Sequence, residues 1–200
     1  MTPQQFTALI RSKTAAIGKA MQRTLPLKVG ALATAHFREG MRQGGFIDGG
    51  LERWPATRRQ QTGTGAASQF GPLLSGRSRL YGSISHRVTA PGTVSVGTDV
   101  PYAAIHNKGG TVTVRVTPRM RRFAWAMYYK TGGDRKGKAK NRTQQALSEE
   151  ARRWRALALT RKEQLTIRIP RRQFIGPSRT LTDRIEKKMA EELMKIVTSE

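Results

Sequence analysis

Apolar side chains recur at helical spacing through the first forty residues. Phe6, Leu9, Ile10, Ile17, Met21 and Leu25 fall on one stripe, and Thr2-Pro3 ahead of them reads as an N-cap followed by a first-turn proline. Pro26 is expected to kink or split this segment, and a second run of Leu32, Ala33, His36, Phe37 and Met41 stops at Gly44-Gly45. Residues 44–71 hold no period. Seven glycines, the Trp54-Pro55 pair and a polar stretch over 62–69 make this a loop of expected low order.

Alternation then replaces the helical period. After a turn at Leu73-Leu74-Ser75-Gly76 and a short lead-in over 77–82, Ile84, His86 and Val88 share one face of a run, and Val94 and Val96 one face of the next. The Ala90-Pro91-Gly92 turn between them predicts a hairpin. Val112, Val114 and Val116 form a third run, and Leu165, Ile167 and Ile169 a fourth, with Thr or Arg opposite; together the four predict a one-sided antiparallel sheet. The span 117–164 is too long for a plain hairpin loop. It holds one helix over 120–129, a Gly/Lys-rich stretch, and a second helix over 144–159 with Thr143 as N-cap and Leu147, Ala151, Trp154 and Ala158 on its stripe. A final amphipathic helix starts near Leu181, with Thr180 and Asp183 as a capping box and Ile185, Met189, Leu193 and Ile196 as the buried stripe.

The fold class that follows is α+β: a small antiparallel sheet packed by N-terminal and C-terminal helices, with a long basic insertion in a β-hairpin. The expected division is a helical arm over 1–43 and an α+β domain over 44–200 containing the insertion 117–164. The arm can cover the sheet or pack on a neighbouring subunit.

Charge narrows the functional classes. The 200 residues carry 37 Lys and Arg against 13 Asp and Glu, a net of +24, and no cysteine, which excludes disulfides, thiol nucleophiles and thiolate-bound zinc. Residues 111–180 alone hold 19 Lys and Arg against four acidic residues, so the positive field belongs mainly to the insertion and its flanking strands. Arg119, Arg121 and Arg122, then Arg135, Lys136, Lys138, Lys140 and Arg142, then Arg152, Arg153 and Arg155 form three clusters. Guanidinium pairs with phosphate or carboxylate through two parallel hydrogen bonds, so these residues are expected to meet DNA phosphates or an acidic partner protein. Zinc fingers, a helix-turn-helix and aromatic-basic RNA-binding strands are missing, which limits any nucleic-acid contact to the sugar-phosphate backbone. Residues 1–11 have no apolar core of a targeting signal, and no apolar run reaches the length of a membrane span.

Catalytic patterns fail one by one. Gly132 to Ala139 approaches a phosphate-binding loop, but Ala139 stands where a magnesium-holding hydroxyl is needed. Ser68 replaces the third glycine of a dinucleotide pattern after Gly63 and Gly65. His36, His86 and His106 have no metal-ligand spacing, Ser83 or Ser85 with His86 and Asp99 lacks a nucleophile elbow, and the sequon at Asn141-Arg142-Thr143 has no secretory context. No enzyme and no cofactor is expected.

Several pieces in order resemble the phage virion morphogenesis proteins, the tail-completion or neck family. They are Trp54-Pro55; Leu73-Leu74-Ser75-Gly76 through Leu80 and Ser83-Ile84; Val94-Ser95-Val96-Gly97; Pro101-Tyr102-Ala103-Ala104-Ile105-His106-Asn107-Lys108-Gly109-Gly110; and Ile169-Pro170-Arg171-Arg172-Gln173-Phe174-Ile175-Gly176 before the final helix. The resemblance covers roughly residues 45–195, and the long basic span over 121–162 is where this sequence is unusual. It implies a structural protein of the virion, assembled in the host cytoplasm as a homo-oligomeric ring of six at the neck or tail end. Its partners would be the tail tube and head or connector proteins, with non-specific contact to packaged DNA and no membrane. Trp54, Tyr102 and His106 are expected at a subunit interface, and Phe174 and Ile175 as a plug at the sheet-to-helix corner. A soluble nucleic-acid-binding protein coating phosphates is the alternative, and a hydrolase using His86 or His106 ranks far behind.

Overall fold

In the computed structural model, which describes residues 1–62, 66–132 and 148–199, the chain divides into two units, residues 1–110 with 170–200 and residues 111–169. Helix α1 (Pro3–Lys19) starts on a capping box in which the Gln5 amide donates to Thr2 Oγ1 and the Thr2 amide to Gln5 Oε1. A π-helical turn (Ala20–Thr24) carries it into α2 (Leu25–Gln43), which ends at Gly44 with φ 72°. Helical structure thus continues past Pro26, with the α-helix interrupted by the π turn just before it. The proline's missing amide deprives the Gln22 carbonyl of the usual helical donor, and the Gly92 amide supplies the bond at 3.1 Å.

The expected loop beyond Gly44 contains regular structure. Strand β1 (Gly45–Ile47) pairs antiparallel with β2 (Leu51–Arg53), and α3 (Arg58–Thr62) and a 3-10 turn (Ala66–Gln69) follow. A three-residue ladder is too short to display a period, which is why the sequence reads as aperiodic there. The low order expected over 62–69 falls partly on 63–65, outside the described residues. Next come α4 (Arg79–Ser83), the antiparallel pair β3 (Ser85–Ala90) and β4 (Thr93–Gly97), and a short helix α5 (Ala103–Lys108). His86 faces Val96 and Val88 faces Val94, as alternation predicts. The second unit comprises β5 (Gly110–Arg115), α6 (Pro118–Lys130), α7 (Glu149–Leu159) and β6 (Gln164–Ile169), and helix α8 (Arg179–Thr198) closes the first.

The α+β class holds, with N- and C-terminal helices flanking small sheets. The four predicted strands pair as expected, β3 with β4 and β5 with β6, but they do not join into one sheet: these and β1–β2 are three separate two-stranded ladders. Alternation tells which face of a strand is buried and is silent on whether one hairpin joins the next. Helix starts also shift. Ser148, whose Oγ accepts from the Ala151 amide, caps α7, so that helix begins at Glu149; Thr143 to Leu147 lie outside the described residues. Ser178 caps α8 by accepting from the Leu181 amide, while Thr180 Oγ1 accepts from the Gly49 amide. Ser178 rather than Thr180 caps α8 because a cap must precede the helix in extended conformation, as Ser178 does with ψ 124°.

Burial in the first unit centres on α2. Ala33, Phe37, Phe46 and Leu181 form one cluster; Met41, Leu80, Ile84, Val100, Ala103 and Phe174 form the other, with Val96 and Ile175 packed against both. The stripe on α1 is mostly outside: α1 has no buried residue, and Phe6 and Ile10 are about half exposed. On α8 only Leu181 is buried, and Ile185, Met189, Leu193 and Ile196 are half-buried. Charge assists here. Glu192 takes Lys28 from α2 and Lys188 and Lys195 from its own helix, which holds its carboxyl at about 2, and Lys13 donates to the Ile196 carbonyl at the end of α8.

Close approach sets the seat of α2 on the β3–β4 hairpin. A Cβ on Gly30 would stand 2.6 Å from the His86 ring and 2.7 Å from Val94. One turn on, Thr34 Oγ1 donates to the Gly30 carbonyl at 2.8 Å and accepts from His86 Nδ1 at 3.1 Å, which assigns the Nδ1–H tautomer to His86. Replacing Gly30→Ala raises helix propensity but overpacks this seat, and a net loss of about 1–3 kcal/mol is expected in urea unfolding.

His36 supplies a second check. Ser178 Oγ donates to the Ile47 carbonyl at 2.7 Å, and His36 Nε2–H lies 3.2 Å from both oxygens, while Nδ1 has no partner. Burial lowers its pKa below 6.5; the bond to Ile47 opposes that shift, Arg184 adds to it and Asp48 opposes it. A depressed folded pKa means that stability is full above 6.5 and is lost as pH falls below that value and through the folded pKa. The melting temperature is expected to drop on acidification across this window, and His36→Gln to flatten that part of the profile.

Candidate functional site

Two surfaces concentrate the candidate chemistry, one in each unit. In the second unit Thr117 caps α6 by accepting from the Met120 amide, with Pro118 in the first turn. Helices α6 and α7 pack together where Ala124, Ala151 and Ala158 are buried, small side chains that let the backbones come close. Tyr128 is buried on α6, and Phe123 meets Trp154 edge to face with centroids 5.6 Å apart. Glu149 and Glu150 in the first turn of α7 complement the helix dipole.

Those packed faces leave the arginines outward. Arg119 and Arg122 on α6, and Arg152, Arg153 and Arg155 on α7, are exposed; Arg153 pairs with Glu149 at 2.8 Å, an exposed link of little energetic weight. Arg121 is different. Its guanidinium donates to the Ala158 and Thr160 carbonyls and so caps the end of α7, a structural task that charge counting does not reveal. Arg135, Lys136, Lys138, Lys140 and Arg142 lie outside the described residues. The exposed guanidinia offer fork-shaped donors to phosphate or carboxylate, with Glu149 and Glu150 the acidic residues on these two helices.

In the first unit, motif pieces far apart in sequence converge. Trp54 Nε1 donates to the Gln173 carbonyl at 2.9 Å, and an Arg172 NH2 group donates to the Pro55 carbonyl at 3.0 Å. Asn107 binds the same segment: its Oδ1 accepts from the Phe174 and Ile175 amides at 2.8 and 3.1 Å, and its Nδ2 donates to the Ile175 carbonyl at 2.9 Å. The Arg172 amide donates to the His106 carbonyl at 2.8 Å. Gly109, with φ 72°, leaves no room for a side chain, because a Cβ there would stand 2.8 Å from the Arg171 nitrogen.

Trp54 is therefore half-buried and bound within its own chain, packed against the cluster that contains Phe174. Phe174 is 2% exposed and fills the corner as a plug. Tyr102 is exposed and meets His106 edge to face at 5.9 Å. Burial, and then the Arg172 charge, lowers the His106 pKa. The three histidines go to separate partners: His36 to Ser178 and Ile47, His86 to Thr34, His106 to Tyr102. Ser83 Oγ turns to the Leu80 carbonyl and Thr98 Oγ1, away from any triad. Sequence reasoning missed Asn107 and Arg172 as individuals; a polar residue before Gly-Gly and an Arg before an apolar plug were the available signals.

Asn107→Ala removes three hydrogen bonds and leaves two amides of the 174–175 segment without acceptors, and a loss of about 3 kcal/mol is expected in denaturant unfolding. Asn107→Asp, which retains the acceptor, is expected to recover part of that loss.

Among the described residues no helix is long and apolar enough to cross a membrane. No curated protein and no solved structure matches the chain. The sequence model of the phage virion morphogenesis family matches residues 21–194, a span that holds both the converging motif pieces and the basic helices, and the chain belongs to that family of structural virion-assembly proteins.

Proposed function

We propose that this chain completes the tail end and takes part in joining head to tail, working as a homo-oligomeric ring of six at the neck, where its basic helices face packaged DNA or acidic surfaces of neighbouring proteins. The observation that carries this reading is the family match over 21–194, combined with the order of motif pieces that resembles the tail-completion proteins. Exposed arginines on α6 and α7 support it, because a junction through which DNA passes needs cationic groups that grip backbone without reading sequence. Tail tube and head or connector proteins are the proposed partners, and the virion, after assembly in the host cytoplasm, is the proposed location.

A soluble phosphate-coating protein is the competing outcome. Electron microscopy of particles carrying a labelled copy is expected to place the label at the head–tail junction, and sedimentation is expected to find a closed ring. Tight duplex binding by a monomer with no label on virions would overturn the proposal. A combined Arg119→Gln, Arg122→Gln, Arg152→Gln and Arg155→Gln variant is expected to fold with an unchanged circular dichroism spectrum yet to yield separate heads and tails in a complementation assay. Full joining by that variant would remove the basic helices from the mechanism.

A further inference from the structure

A cleft of about 410 Å3 opens beside the motif corner of the first unit. Arg59, Arg79, Arg172 and His106 line it, and none of its described lining residues is acidic. Arg172 is the unusual member. It is only 8% exposed; one NH2 group is committed to the Pro55 carbonyl, and its Nε–H has no acceptor. That Nε is itself sealed from solvent, and no described acidic residue pairs with the guanidinium, so a recessed cation forms part of the cleft wall without a counter-charge, which an anion in the cleft would supply. His106 lines the cleft beside Arg172, and its Nδ1, turned away from solvent, has no partner. Tyr102, Leu73 and Leu80 add apolar wall around these groups.

We propose that this cleft is a carboxylate-binding socket that receives an acidic side chain from a protein partner. The occupant must combine a narrow apolar stem with a terminal anion, because Arg172 is recessed while the wall is partly apolar. Glutamate or aspartate on a protruding segment has that form. The phosphates of a duplex sit on a broad, stiff backbone and cannot be lowered singly onto a recessed guanidinium. This goes beyond the neck reading and needs only that the chain meets a protein partner. It also separates two kinds of charge on one chain: exposed arginines in the second unit, and a recessed one here for a single carboxylate.

The test uses the full chain and glutarate as probe, followed by NMR through the ring resonances of Tyr102 and His106 at constant ionic strength and pH. Saturable shifts are expected with glutarate and none with its dimethyl ester. Arg172→Gln is expected to weaken the apparent affinity by about tenfold or more. Arg79→Gln and His106→Gln, whose side chains do not hold the 172–175 segment, are expected to weaken it several-fold, so the proposal stays testable if the Arg172 variant fails to fold. Shifts with the ester equal to those with glutarate, or no saturable shift at all, would overturn the socket. Tighter binding of inorganic phosphate than of glutarate would overturn the carboxylate assignment. None of these readouts depends on where the protein sits in the virion, so failure here and failure of the neck reading are distinguishable.

Discussion

One carboxamide ties together two segments of the first unit that are far apart in sequence. Asn107 satisfies the Phe174 and Ile175 amides and the Ile175 carbonyl at once, while the Arg172 amide reaches the His106 carbonyl. Residues 106–107 and 172–175 are thereby bound to one another within the first unit. Phe174 can then fill its corner, Trp54 can reach the Gln173 carbonyl, and Ser178 arrives in position to cap α8. Backbone groups that pair with a side chain in this way leave little freedom in how the last helix enters the fold.

Much of this was legible in the residues and some of it could not be. The Val and His alternation of β3 and β4 specified their register, because period two leaves only one set of side chains to bury. Thr2, Pro3 and Gly44 marked helix ends by local chemistry that operates within four residues. Both hairpin pairings were readable, β3 with β4 and β5 with β6, whereas whether the hairpins join into one sheet is a long-range choice that the residues did not carry. The socket around Arg172 was invisible for a related reason: its members Arg59, Arg79, His106 and Arg172 are scattered over more than a hundred positions, and each alone is another cation in a cation-rich chain. Burial, which no composition supplies, separates Arg172 from the rest.

The same distinction refines the meaning of the charge. Arg121 ends a helix, Arg59 and Arg172 bind loop carbonyls, and Arg38 donates to the Gly82 and Ile84 carbonyls. Guanidinium thus serves as internal scaffolding wherever the chain has few regular ladders to absorb its carbonyls. Net charge overstates the number of guanidinia free to grip a partner, since some have donors committed to backbone carbonyls while their charge remains. The exposed arginines of α6 and α7 are among those that stay outward.

The bond from Gly92 to the Gln22 carbonyl couples the first helical segment to the β3–β4 turn. A proline normally leaves a helix with a defect that is local and permanent, but here the defect is repaired by a donor that arrives only when the β3–β4 turn has docked. The first helical segment therefore cannot complete its own ladder by local growth. Its last acceptor is filled by a residue seventy positions away, so the helix at the proline and the turn of the β3–β4 hairpin share one hydrogen bond, and whatever shifts that turn leaves the Gln22 carbonyl to water.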